Sequence, residues 1–156
     1  MIYPYLTYSV VAWGNTYDTT TKPIFILQKR VIRIISFADF TDHSNPLFIK
    51  LNIMKFNDVV KFRTAIFMHD FHHSNLPRNF DSFFSRISKR HNYNTRLASK
   101  LNYSLPAVKT NYGKFNIRFA ALKNWNSLDE SLKSSNKEKF KRILMSQILN
   151  SYKQSV

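Results

Sequence analysis

Only two glycines, Gly14 and Gly113, occur in 156 residues, and this scarcity limits the architectures open to the chain more than any other feature. A loop that cradles phosphates with its backbone needs several glycines, so dinucleotide-binding and nucleotide-triphosphate loops are excluded. Short apolar runs separated by polar punctuation, with so little glycine, point to helices. An apolar content of 44%, including 14 Phe, is enough for a core in a chain of this length. The expected fold is mainly α: a small bundle of five to six helices with a basic irregular loop region in the second half. Composition changes near residue 86, suggesting a helical packing segment over 1–85 and a basic loop with C-terminal helices over 86–156, or one continuous domain.

The helices are placed by spacing. Tyr3 to Trp13 has Pro4 near its start and a stop signal at Gly14-Asn15. From Pro23 to about Ala38, the residues Ile24, Leu27, Val31, Ile34, Ile35 and Ala38 share one helix face, which is expected to pack, with Lys29, Arg30 and Arg33 opposite. Asp42 to Pro46 reads as a turn into a short helix, Leu47 to Leu51. Asn57 or Asp58 is placed to cap a long helix to about His73, whose wide apolar surface marks it as the central packing element. Arg86 to Tyr112 lacks periodicity and reads as loop or a short extended segment. Helical spacing returns at Phe115, Phe119 and Leu122. Ser135 and Glu138 form a capping-box pattern before a helix that buries Phe140, Ile143, Leu144, Ile148 and Tyr152 and turns Lys137, Lys139, Lys141 and Arg142 to solvent.

Charge gives the functional clue. The net charge is +15, split as nine Lys/Arg against five acids in residues 1–78 and fifteen against four in residues 79–156. Between Asp81 and Asp129 no carboxylate occurs, yet Arg86, Lys89, Arg90, Arg96, Lys100, Lys109, Lys114, Arg118 and Lys123 do. Cations with no anions among them must be met by water, counterions or a polyanion. Aromatic residues run between them, and flat rings beside cations suit unstacked bases and phosphates, so the expected partner is RNA or DNA. Candidate contacts are Lys29, Arg30, Arg33, Arg90, Asn92, Tyr93, Asn94, Arg96, Lys109, Lys114 and Arg118. In the polar run His91 to Arg96, Tyr93 offers a stacking ring, Asn92 and Asn94 amides for base edges, and Arg96 a fork for phosphate. Asparagines that only build a turn explain the same run equally well.

Other chemistry finds little support. With no cysteine there are no disulfides, thiolate zinc sites or cysteine nucleophiles. His69 and His73 stand at a chelating spacing beside His72, but no third ligand has a defined place, so a polar helix end is the simpler reading. Asp39 and Asp42 suit a turn, and Asp129-Glu130 a helix boundary. Trp13 and Trp125 read as packing anchors. No apolar run reaches the length of a membrane span, and the apolar start lacks the basic flank of a signal peptide. The expectation is an intracellular chain with no membrane, small-molecule, cofactor or metal site. Binding to a membrane surface through basic amphipathic helices is disfavoured because the cations continue into a polar loop.

Specific segments carry a resemblance. His91-Asn92-Tyr93-Asn94-Thr95-Arg96, then Lys109-Thr110-Asn111-Tyr112-Gly113-Lys114-Phe115-Asn116-Ile117-Arg118-Phe119, then Trp125-Asn126-Ser127-Leu128 resemble the C-terminal region of LINE-type, jockey-like non-LTR retrotransposon reverse transcriptases. Ile2 to Tyr8 with Trp13-Gly14, and Leu27 to Ile35, look like the helical stretch after the palm of those polymerases. The resemblance implies distal thumb and downstream segment, serving template-primer binding in target-primed reverse transcription. It also implies an upstream polymerase core in cis that holds the Mg²⁺ ions, and a place in the nucleus or a cytoplasmic ribonucleoprotein. The family's Tyr-x-Asp-Asp segment has no counterpart here, since the chain has no Asp-Asp pair, so catalysis is not expected of this chain alone. Ala120 to Asn124 and Asp129 stand where the family commonly has Gly-Pro before, and Pro after, the Trp-Asn-Ser-Leu segment. Ile2 begins mid-pattern, which suggests a fragment. A module that docks onto the polymerase core, or a decayed copy, is the alternative.

Overall fold

The computed structural model describes residues 3–87 and 101–153. Among them the chain is mainly helical: α1 Tyr3–Thr7, α2 Val10–Trp13, α3 Asp18–Ile35, α4 Ser44–Lys50, α5 Phe56–His72, α6 Asn111–Phe115, α7 Ile117–Asn126, α8 Glu130–Lys133 and α9 Lys137–Lys153, with a 3₁₀ turn at Arg78–Phe80. No helix among the described residues is long and apolar enough to cross a membrane. Two compact units form, residues 1–62 with 142–156, and residues 63–141, so compactness divides the chain differently from composition. α5 and α9 supply residues to both.

There are more helices than the spacing predicts because two of the expected ones are broken and the short α8 stands where only a helix boundary is expected. Ser9 adopts the left-handed conformation (φ 47°) and separates α1 from α2, with the Trp13 indole N–H taking up the Tyr8 carbonyl at 2.9 Å. Asn116, extended at ψ 136°, separates α6 from α7, and its side-chain oxygen accepts the Arg118 N–H at 2.9 Å. Gly14 is also used differently from a helix-stop glycine. Its φ of −72° suits any residue, but a Cβ there would lie 2.6 Å from the Val10 carbonyl oxygen and 2.7 Å from Val60. Gly14→Ala is therefore expected to cost about 1–3 kcal/mol through overpacking, read as a lower urea midpoint.

In the first unit one cluster joins Val10, Phe56 and Val60, and a second joins Ile32, Phe48 and Tyr152 with Phe25, Leu47 and Ile148 around it. α3 begins earlier than Pro23, at Asp18, and it is rotated from the expected face. Thr21, Gln28 and Ile32 are its buried residues, whereas Leu27, Ile34 and Ile35 of the apolar stripe are exposed. The cause is Gln28. Its amide donates to the Met54 carbonyl at 2.9 Å and its oxygen accepts the Phe56 N–H at 2.8 Å, so a buried polar side chain closes the start of α5. Asn57 and Asp58 do not take that capping role: Asp58 instead accepts the Tyr152 hydroxyl, which accepts in turn from the Lys55 N–H at 3.1 Å. Burial, then the Asp58 hydrogen bond, raises the Tyr152 phenol well above its ordinary value.

The second unit has an aromatic core. Trp125 and Phe140 are completely buried, with His69, Tyr103 and Phe84 nearly so. α9 starts on Asn136, whose side chain accepts the Glu138 N–H at 3.3 Å, while Ser135 turns its hydroxyl to the Leu132 carbonyl. The capping box is thus replaced by a cap one residue later. Of the expected stripe of α9, Phe140, Leu144 and Tyr152 are buried, and Ile143 and Ile148 are half-buried. Lys137 is not purely solvated, since it meets the Asp70 carboxylate at 2.8 Å.

Candidate nucleic-acid interface

Residues 102–104 form a short extended run after a left-handed Leu101 (φ 54°), pinned on two sides. Ser104 N–H donates to the Ser85 carbonyl at 2.9 Å and Ile87 N–H to that of Asn102 at 3.3 Å, an isolated antiparallel bridge between Arg86 and Tyr103. On the other side Asn126 mimics a neighbouring strand: its oxygen accepts the Tyr103 N–H at 3.0 Å and its amide donates to the Tyr103 carbonyl at 2.9 Å. Beside it the Trp125 indole N–H donates to the Leu101 carbonyl at 3.2 Å. Trp125 and Asn126 therefore hold the extended segment, satisfying backbone groups that no regular sheet serves.

Behind this run lies a network of histidines. Tyr103 hydroxyl and His72 Nδ1 are 3.0 Å apart, and Arg86 hydrogen-bonds the same phenol. A guanidinium only donates, so the phenol oxygen accepts from Arg86 and its hydrogen is left for His72 Nδ1. Burial, then the Arg86 charge, pulls His72 down to about 4. His69 donates Nε2–H to the Ser135 carbonyl at 2.8 Å and His73 donates to the Lys133 carbonyl at 3.1 Å. Lys133, itself buried, gives its ammonium to Asn102 Oδ1 at 2.8 Å. His69 and His73 thus tie α5 and the residue after it to the segment around α8, and His72 ties α5 to Tyr103, rather than forming a bare polar helix end; no group of residues that would hold a metal occurs among the described residues. Tyr103→Phe, which strips His72 and Arg86 of their shared partner, is expected to lower unfolding free energy by about 1–3 kcal/mol in a urea melt.

The cations of the acid-free stretch lie outside this core. Arg86, Lys109, Lys114, Arg118 and Lys123 are all exposed. The aromatic residues between them are mostly spent on one another: Phe84 packs edge-on to Phe71 at 4.9 Å and to Phe83 at 5.0 Å, and Tyr103 is buried. Tyr112, at 79% exposed, is the most open ring of this region among the described residues. Arg118 lies over the Phe83 ring at 4.4 Å and, with Arg86, lines a cleft of about 580 Å³. Arg86 reaches a second cleft of about 550 Å³, which also holds Arg78 and Asp81. Sequence reasoning did not single out Arg86 as a contact, because nothing in its local spacing separates it from the other cations of the stretch.

The expected contacts fall in different places. Lys109, Lys114 and Arg118 belong to the second unit and Lys29, Arg30 and Arg33 to the first. Arg33 forks onto the Asp42 carbonyl at 2.9 and 2.8 Å, and Lys29 sits 4.4 Å from the Phe25 ring centre; both are half-buried, and Arg30 is the exposed member of that trio. Asp42 also accepts the Asp39 N–H at 3.0 Å, the turn expected of it. Arg90, Asn92, Tyr93, Asn94 and Arg96 lie outside the described residues. No protein-family model matches the chain, and no curated protein or solved structure matches it.

Proposed function

We propose that this chain is a noncatalytic nucleic-acid-binding segment, related to the distal thumb and downstream region of a LINE-type reverse transcriptase and acting beside a polymerase core in cis. One observation carries the reading: across residues 82–128 there are nine cations and no acid, and the described members of that set are exposed. A field of one sign that nothing within the stretch neutralises favours a polyanion. The resemblance of the Asn-Tyr-Gly-Lys-Phe and Trp-Asn-Ser-Leu segments narrows the partner to template, primer or target strand. Such a chain would work in the nucleus or in a cytoplasmic ribonucleoprotein, and it would leave Mg²⁺ chemistry to the upstream carboxylates. Titration of labelled single-stranded RNA, single-stranded DNA and hybrid duplex with the purified chain tests the reading. Saturable binding at low salt, without primer extension in Mg²⁺, is expected, and failure to bind any of the three overturns it.

A second reading, a module that docks on protein, is favoured by the misplaced apolar face. Ile34 is 73% and Phe37 99% exposed, with Leu27, Ile35 and Phe40 also open, and Phe37 holds a left-handed backbone (φ 52°). A bulky residue in that conformation with its ring in water does little for its own fold. Replacement of Ile34 and Phe37 by Ser separates the two, since it should spare nucleic-acid binding and weaken docking on protein.

A further inference from the structure

Two clefts in the second unit contain arginine, and their charge balance differs. The one lined by Arg78 and Arg86 also contains the Asp81 carboxylate, which opposes an anion. The other joins Arg86 and Arg118 with Ser82, Ser85 and Ser104, and no acid lines it among the described residues. At about 580 Å³ it falls within the range of about 300–1,000 Å³ typical of ligand-binding clefts. The two guanidiniums arrive from separate elements. Arg86 is one partner of the bridge to Tyr103, and Arg118 lies in the first turn of α7. Each is also held in place, Arg118 against the Phe83 ring at 4.4 Å and Arg86 by the Tyr103 phenol. Restrained arginine forks lose less freedom on binding than free surface side chains, and their paired donors match the oxygens of a phosphate. Apolar wall from Phe83 and Pro106 adjoins them, which suits the sugar or base carried by that phosphate.

We propose that the Arg86–Arg118 cleft is a phosphodiester seat that positions a single-stranded polynucleotide on this unit. The inference rests on the nucleic-acid reading above and gives it a defined locus: among many exposed cations, these two set the register of the strand while the rest supply unspecific attraction.

The test uses the whole chain and labelled oligothymidylate, with affinity measured by fluorescence anisotropy at several salt concentrations. Arg86→Gln with Arg118→Gln is expected to weaken binding at least about tenfold and to lower the salt slope by about 1.4. Lys22→Gln with Lys50→Gln, which removes the same charge from exposed positions of the other unit, should weaken it by no more than about twofold. Arg86→Lys with Arg118→Lys keeps the charge and the stems, and is expected to restore the slope but not the full affinity. Equal losses in the two Gln pairs, or wild-type affinity in the Lys pair, overturn the seat. Wild-type affinity in the Arg-to-Gln pair overturns the seat but leaves the nucleic-acid reading standing, whereas no binding by the unsubstituted chain removes both. Free thymidine monophosphate should compete only weakly. Competition as strong as that of the oligonucleotide, or displacement of the strand by polyglutamate, would show a site for mononucleotides or for anions at large and reject the polynucleotide assignment.

Discussion

Trp125→Ala is expected to unfold the second unit or to lower its stability by about 3–5 kcal/mol, a large share of the roughly 5–15 kcal/mol that holds a typical domain. Trp125 has no exposed surface and its ring meets His72 at 5.2 Å, Phe140 at 6.1 Å and His69 at 6.4 Å. Truncation leaves a cavity at the centre of these rings and also deprives the Leu101 carbonyl of its donor. Because that bond and the Asn126 pair hold residues 101–104 against Ser85 and Arg86, the substitution should also loosen the basic cleft. Trp125→Phe removes the N–H and about three ring atoms but keeps an aromatic ring in the site, so a smaller loss of about 1–3 kcal/mol is expected. Urea titration of both variants, followed by circular dichroism, should rank Trp125→Ala as the more damaging.

Mild acid should destabilise the fold well before carboxylates titrate. Burial lowers both His69 and His72 from an ordinary value of 6.5, His72 to about 4. For His69 the structural cause is plain: Nε2 is committed to Ser135, and Nδ1 is buried without a hydrogen-bond partner, so a second proton would be a charge with no solvent. The Arg86 charge adds to the effect at His72, and Lys137 adds to it at His69. A histidine whose folded pKa lies below its unfolded pKa binds its proton more readily when unfolded. Stability from this pair is therefore fully present above pH 6.5 and is lost as pH falls toward about 4. His72 is only half-buried, so solvent screening reduces its share to about 1–2 kcal/mol. The urea midpoint should drop between pH 7 and pH 5, and His72→Gln should flatten that drop. A midpoint that stays level over this interval would show that the histidines titrate normally.

What the amino-acid sequence revealed depended on whether hydrophobicity alone decides burial. In α9 it does, and Phe140, Leu144 and Tyr152 are inside where the three-and-four spacing puts them. In α3 it does not. Gln28 is drawn into the core because it is the residue that can satisfy both the Met54 carbonyl and the Phe56 N–H, and it turns the apolar stripe of Leu27, Ile34 and Ile35 toward water. Lys133 and His69 were illegible for a similar reason: each is buried by partners distant in sequence, Asn102 and Ser135. The extended run near Tyr103 was foreseen as a break in periodicity, whereas the clamp made by Asn126 has no sequence signal beyond its place next to Trp125. For the candidate site, the excess of positive charge was plain from composition, and its concentration at Arg86 and Arg118 was not. Local spacing cannot show that two elements thirty-two positions apart meet at one cleft.

The most direct measurement is the salt dependence of single-strand binding by the whole chain. If exposed cations neutralise phosphates, the logarithm of affinity should fall linearly with the logarithm of salt concentration, by about 0.7 for each contact on a single strand. Arg86, Lys109, Lys114 and Arg118 acting together give a slope of about −3, with steeper values if the first unit also takes part. An affinity that does not change with salt would contradict electrostatic recognition of nucleic acid and leave docking on protein, through the exposed face of α3, as the function of this chain.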